Sequence, residues 1–222
     1  MDWRYNTIWI DQIAEEKVFI QDFKKKTKSS SEFNSTEYAF LSYLKKGERS
    51  FGTMDSSDKL LHLQLDWANI SNLEDIGKFP NLKRLELHYR TKLESESGIE
   101  NLCDSLRFLH INQSKKFTIS DKLLKLKNLR VLCLNSCGPI DTLEFLTEFE
   151  NLVDFRFVDT NILSGDLKPI FDHPNIRTVG FLNKKHYNYT VNEVDRELSL
   201  KSRVDFKKYV SKGDFKTYRY EY

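Results

Sequence analysis

Cysteine is scarce: Cys103, Cys133 and Cys137 are the only three in 222 residues. They make no even framework of disulfides, and no paired Cys/His spacing marks a zinc finger. Charge of one sign is lacking too. The 35 basic and 33 acidic residues leave a net +2, which gives no general field for nucleic acid or an anionic membrane. No segment approaches the ~18 apolar residues that would span a bilayer. Met1 to Asn6 lacks the basic-then-apolar pattern of a signal peptide, and with so few cysteines a reducing cytoplasm is the expected compartment. There is no HExxH and no glycine-rich phosphate loop, so no cofactor is expected. Apolar residues at 39% and charged residues at 31% are the balance of a folded chain rather than a disordered one.

What the chain does have is a period. The pattern L-x-x-L-x-L recurs as Leu60, Leu63, Leu65; Leu82, Leu85, Leu87; Leu106, Leu109, Ile111; Leu129, Leu132, Leu134; Leu152, Phe155, Phe157; and Ile176, Val179, Phe181. Successive starts lie 22, 24, 23, 23 and 24 residues apart. After the first strand come Ile70, Leu73, Ile76 and Phe79, then Pro80-Asn81. Asn128, Asn151 and Asn175 close later units. One strand with its return segment cannot bury such leucines alone, whereas stacked neighbours build a continuous core.

These residues resemble the leucine-rich-repeat family, in its short subclass of about 22 residues, over residues 59 to 183. The resemblance implies an α/β solenoid with parallel strands on a concave face and short helices or irregular turns behind them. The family's turn asparagine, nine places into the unit, is poorly kept: Ala68, Arg90, Ser114, Cys137, Thr160 and Lys184 stand there. Ser114, Cys137 and Thr160 could still bond turn backbone, and Asn69 and Asn161 lie one place later. The return segments Ile70–Phe79, Asp121–Leu126 and Leu143–Phe149 read as short helices.

The ends read as caps. Within 1–58, Trp3, Tyr5, Thr7 and Trp9 alternate like a strand, Ile13–Phe23 is helix or strand, and Lys24–Ser35 is a loop. Asn34 to Glu37 resembles a capping arrangement ahead of Tyr38, Leu41 and Leu44 at helical spacing. Within 184–222, Thr190 and Glu193 have capping-box spacing. Val204–Val210 and Phe215–Tyr222 flank a glycine turn as a hairpin.

Strand alternation then sorts the outward side chains into rows. The third places hold His62, Arg84, Phe108, Val131, Asp154 and Thr178. The fifth hold Gln64, Glu86, His110, Cys133, Arg156 and Gly180. The seventh hold Asp66, His88, Asn112, Asn135, Val158 and Leu182, with Trp67 and Tyr89 following at the rim. Aromatics and arginine are favoured interface anchors. The expected partner surface is therefore His62, Asp66, Trp67, Arg84, Glu86, His88, Tyr89, Phe108, His110, Asn112, Asp154 and Arg156.

Chemistry is the weaker reading. Glu86, His110 and Cys133 on adjacent strands could form an acid–histidine–thiol relay, but an open sheet offers no oxyanion site and does not exclude water. His62, His88 and His110 fall in different rows, which argues against a metal site. The tail carries Lys201, Arg203, Lys207, Lys208, Lys212, Lys216 and Arg219 against three acids, an alternative nucleic-acid contact that reads better as a solvated cap. The family resemblance implies a non-catalytic, monomeric protein-binding module. The free-standing bacterial type that it resembles includes immunity proteins that neutralise a toxin, so an inhibitor or adaptor is expected, with no nucleic acid and no membrane involved.

Overall fold

The structure is a computed structural model that describes residues 1–25, 27–28, 32–44, 51–52, 54–68, 70–89, 93, 95–201 and 208–221. Asn69, Arg90, Arg203, Lys207 and Tyr222 lie outside the described residues, as do parts of the expected 24–35 loop and of the first hairpin arm. Among the described residues no helix is long and apolar enough to cross a membrane.

The chain forms an open α/β sheet. Its strands are β1 (Val18–Asp22), β2 (Thr27–Lys28), β3 (Tyr38–Ser42), β4 (His62–Asp66), β5 (Arg84–His88), β6 (Phe108–Asn112), β7 (Val131–Asn135), β8 (Asp154–Arg156) and β9 (Thr178–Gly180), in spatial order β2-β1-β3-β4-β5-β6-β7-β8-β9. Among the described residues of this sheet only the β1–β2 pair is antiparallel. The register follows the repeat. Leu63 pairs with Leu85, Leu85 with Leu109, Leu109 with Leu132, Leu132 with Phe155, and Phe155 with Val179. All six lie in one continuous apolar core with the return-segment residues Ile70, Leu73, Ile76 and Phe79. Stacking of adjacent units, not any one unit, takes these side chains out of water.

The sheet runs on across residue 59. β3 pairs in register with β4, and β1 with β3. Tyr38, Leu41 and Leu44 therefore belong to a strand and its exit, not to a helix. Tyr38, Ala39, Phe40 and Leu41 are all buried, as a parallel strand covered on both faces requires. The return segments are also tighter than helices: single 3-10 turns at Ile76–Lys78, Leu123–Lys125 and Glu144–Glu148. The Asn34 region is a similar turn, Phe33–Ser35.

Repeat-to-repeat side-chain bonds lock the stack. Asn81, Asn128, Asn151 and Asn175 each donate to a carbonyl of the preceding unit, at Asp58, Cys103, Lys127 and Glu150. Of the three turn substitutes, Thr160 Oγ1 reaches Leu134 O at 2.6 Å and Cys137 Sγ reaches Ile111 O at 3.4 Å. Ser114 Oγ has no partner among the described residues.

Towards the C-terminus a short helix, α1 (Lys168–Asp172), precedes β9, and α2 (Val191–Ser199) follows it. The Thr190–Glu193 capping box is present, and Val194 and Leu198 are buried. A hairpin of β10 (Lys208–Lys212) and β11 (Phe215–Arg219) turns at Gly213, whose φ of +58° suits glycine.

Candidate functional site

Both ends of the chain fold onto the sheet face opposite the leucine core, here the front face. Residues 4–6 run beside β11: Asn6 N donates to Tyr218 O at 2.8 Å and Tyr220 N to Arg4 O at 3.0 Å. Trp3 to Ile10, expected as a strand, makes only the Tyr5–Arg219 bridge before turning at Ile10–Gln12.

Arg84 holds the first of these segments. Its guanidinium lies 3.7 Å from the Phe108 ring centroid. It donates to the carbonyls of Trp3, Tyr5 and Asn6, and through Nε to Glu86 Oε1 at 2.6 Å. Tyr220 anchors the second, packing with Phe108, Val131, Cys133 and Val153. Its hydroxyl meets Asp154 Oδ2 at 2.5 Å. Arg156 grips the same carboxylate through Nε and Nη2 and also donates to the Tyr218 hydroxyl.

The expected partner residues therefore divide by row. In the third row His62, Arg84, Phe108 and Asp154 are buried, as is Val131 beside them: the terminal segments cover Arg84, Phe108, Val131 and Asp154, while His62 packs against Tyr38 and Phe40. In the fifth row Glu86 and Cys133 are buried while Gln64, His110 and Arg156 are half-buried. In the seventh row Asp66, His88 and Asn112 are half-buried, and Trp67 and Tyr89 beyond them are exposed by 46% and 38%.

The rim has its own repeat. Tyr43, Trp67, Tyr89, Gln113, Ser136 and Asp159 all have positive φ, between 50° and 59°, a region bulky side chains rarely enter. The neighbouring unit holds the first five in place: the Trp67, Tyr89 and Gln113 amides donate to His88 O, Asn112 O and Asn135 O at 3.0–3.2 Å. This turn aligns three rings. Tyr43 and Trp67 stack at 5.1 Å, Trp67 and Tyr89 at 4.4 Å, with planes within 8°. The Lys24 ammonium sits 3.6 Å from the Tyr43 centroid. Sequence reading named Trp67 and Tyr89. It missed Tyr43, whose signal was the residue type following a strand not recognised as one.

Glu86 is the electrostatic centre of the front face. Oε1 meets Arg84 Nε and His62 Nε2 (3.2 Å). Oε2 meets His88 Nε2 (3.2 Å) and His110 Nδ1 (3.5 Å). Burial pushes this carboxyl up, but Arg84 and the bonds from His110, His62 and His88 outweigh it and hold it well below 4.5. Burial lowers His62 and His110, against the pull of Glu86. One ligand atom each from Glu86, His88 and His110 lies within 4.8 Å of the others, a group able to hold a cation. Glu86, His110, Cys133 and Arg156 also line a cavity of about 240 Å³ beneath Asn6, Thr7 and Ile8.

His110 does pair in register with Cys133, but burial, then Asp154, push that thiol above its ordinary range, opposite to what a nucleophile needs. In the tail, Lys201 donates to Phe171 O and His173 O, Lys212 pairs with Asp11, and Arg219 with Asp2 and Glu221. No protein-family model matches the chain, and no curated protein is similar enough to count as a relative.

Proposed function

We propose that this chain is a leucine-rich-repeat solenoid that binds a protein partner without catalysis, and that the contact centres on the rim formed by Trp67, Tyr89, Asp66, His88 and Asn112. The observation that carries the reading is the Tyr43–Trp67–Tyr89 stack, in which Trp67 and Tyr89 are exposed and Tyr43 is half-buried. Large rings held rigidly in solvent cost little entropy to dock and bury much apolar area when they do. The adjoining polar row supplies directional bonds. The same reading leaves the third-row side chains as anchors for the chain's own ends, with Arg156 and His110 at the margin of the contact. Against an enzyme stands the protonated, buried Cys133. Against nucleic acid stands the commitment of Lys201, Lys212 and Arg219 to partners within the chain.

An inhibitor or adaptor is the role that fits, and an immunity protein holding one toxin is its most specific form. Capture from source-cell extract by the untagged chain, with mass spectrometry, should return one dominant protein for the wild type and none for Trp67→Ala/Tyr89→Ala. Co-expression with a toxin encoded beside the gene should protect cells if the specific form holds. Equal capture by both chains would overturn the rim as the contact.

A further inference from the structure

We propose that Glu86, His88 and His110 form a binding site for one divalent transition cation of the zinc class. The site shares His88 with the proposed contact rim, but cation binding is read without a partner, so either reading can fail while the other stands. Glu86 and His88 project from the same face of β5, two places apart, and His110 pairs with Glu86 on β6. Two imidazoles and one carboxylate are a donor set suited to zinc, cobalt or nickel. With bonds of about 2.1 Å, a tetrahedral ion sets its ligand atoms about 3.4 Å apart. Glu86 Oε2 already stands 3.2 Å from His88 Nε2 and 3.5 Å from His110 Nδ1. The cavity beside Glu86 and His110 leaves a fourth position for water.

In the metal-free chain two N–H groups fill this triangle, both donated to Glu86 Oε2. Binding requires each imidazole to present a lone pair there, so its proton moves to the other ring nitrogen. The ion takes Oε2, His88 Nε2 and His110 Nδ1; His88 then carries its proton on Nδ1 and His110 on Nε2, with no net proton released. Two asparagines face those second nitrogens. Asn112 Nδ2 lies 3.5 Å from His88 Nδ1, and Asn135 Nδ2 lies 3.0 Å from His110 Nε2. Each must turn its carbonyl oxygen towards the relocated proton. Asn135 is pinned, because its Oδ1 accepts from Val158 N at 3.1 Å. Turning it sacrifices that bond, so Asn135 is a positioning residue that weakens the site by holding His110 in the wrong tautomer.

A carboxylate at this position has two acceptor oxygens. It can keep Val158 N and receive His110 Nε2–H at once, the arrangement that supports histidine at metal centres. Asn135→Asp should therefore tighten binding, where loss of an ordinary polar contact would not.

The test uses the full, untagged chain with Cys103→Ser, which removes the half-buried thiol. Zn²⁺ is titrated by calorimetry, and Co²⁺ is followed by its visible d–d absorption. One ion per chain is expected. His88→Gln should weaken binding at least tenfold while unfolding at the same temperature as its parent in EDTA. Asn135→Asp should strengthen it about tenfold, within the range of such outer contacts. Absence of a saturable one-to-one site, or unchanged affinity in His88→Gln, overturns the site. Unchanged or weaker binding in Asn135→Asp overturns the tautomer account.

Discussion

The Tyr220 hydroxyl rests 2.5 Å from Asp154 Oδ2 and ties the end of the chain to the first residue of β8. Burial and the Asp154 carboxylate hold that hydroxyl protonated, well above 10.0, so it acts as a donor. Tyr220→Phe keeps the packing against Phe108 and removes the donor. Asp154 retains Arg156 and Tyr218, so the loss should be about 1–2 kcal/mol, read from urea unfolding midpoints.

Arg84 is the more demanding position. It is 2% exposed and balances Glu86 while satisfying three N-terminal carbonyls. Arg84→Met fills the space but leaves a buried carboxylate without its main counter-charge. A loss of about 3–5 kcal/mol is expected, with faster proteolysis within residues 1–10. A loss below 1 kcal/mol would show that the N-terminal segment is not held here.

The thiols should separate by burial. Burial pushes Cys137 up to about 12 and raises Cys133 as well, while Cys103 is half-buried. Alkylation of the folded chain at pH 8 should mark Cys103 first and the other two only on unfolding. Rapid labelling of Cys133 would revive the relay with His110 and Glu86.

Much of this architecture is legible in the sequence, and the reasons for the exceptions are physical. Leucine spacing predicts the β4–β9 register, and Thr190 with Glu193 marks α2. The strand at Tyr38 escapes notice because Thr36, Ala39 and Leu41 occupy the places of Leu60, Leu63 and Leu65 in the paired register, and small or polar residues hide the period. The front face was harder. Alternation shows that Arg84, Phe108 and Asp154 point away from the core, but not what they meet. Their cover comes from residues more than 60 positions away, at the two ends, and no local pattern encodes that return. The rows of His88 and His110 are neighbours on one face and within side-chain reach, so their difference in row, which argues against a metal site in the sequence, does not keep the two imidazoles apart: both meet Glu86 Oε2.

Acid should destabilise the fold in two stages. Burial holds the folded-state values of His62 and His110 below 6.5, so the unfolded chain binds protons first as pH falls. Stability is then full above about pH 6.5 and declines below it. Glu86 lies well below 4.5 when folded, so its contribution is present above pH 4.5 and lost as pH falls further. Unfolding midpoints in EDTA should be level from pH 8 to 7, lower at pH 5.5 and lower again at pH 4. A level profile down to pH 5.5 would contradict the neutral state of the two histidines in the folded chain.

The affinity of a captured partner for Tyr89→Ala, measured beside the thermal midpoint of the same variant, bears most directly on the proposed contact surface. Tyr89 gives up one ring stack, worth about 0.5–1.5 kcal/mol, so the midpoint should move by a few degrees at most. Affinity should fall at least tenfold, about 1.4 kcal/mol or more. An intact fold with undiminished affinity would place the contact elsewhere on the chain.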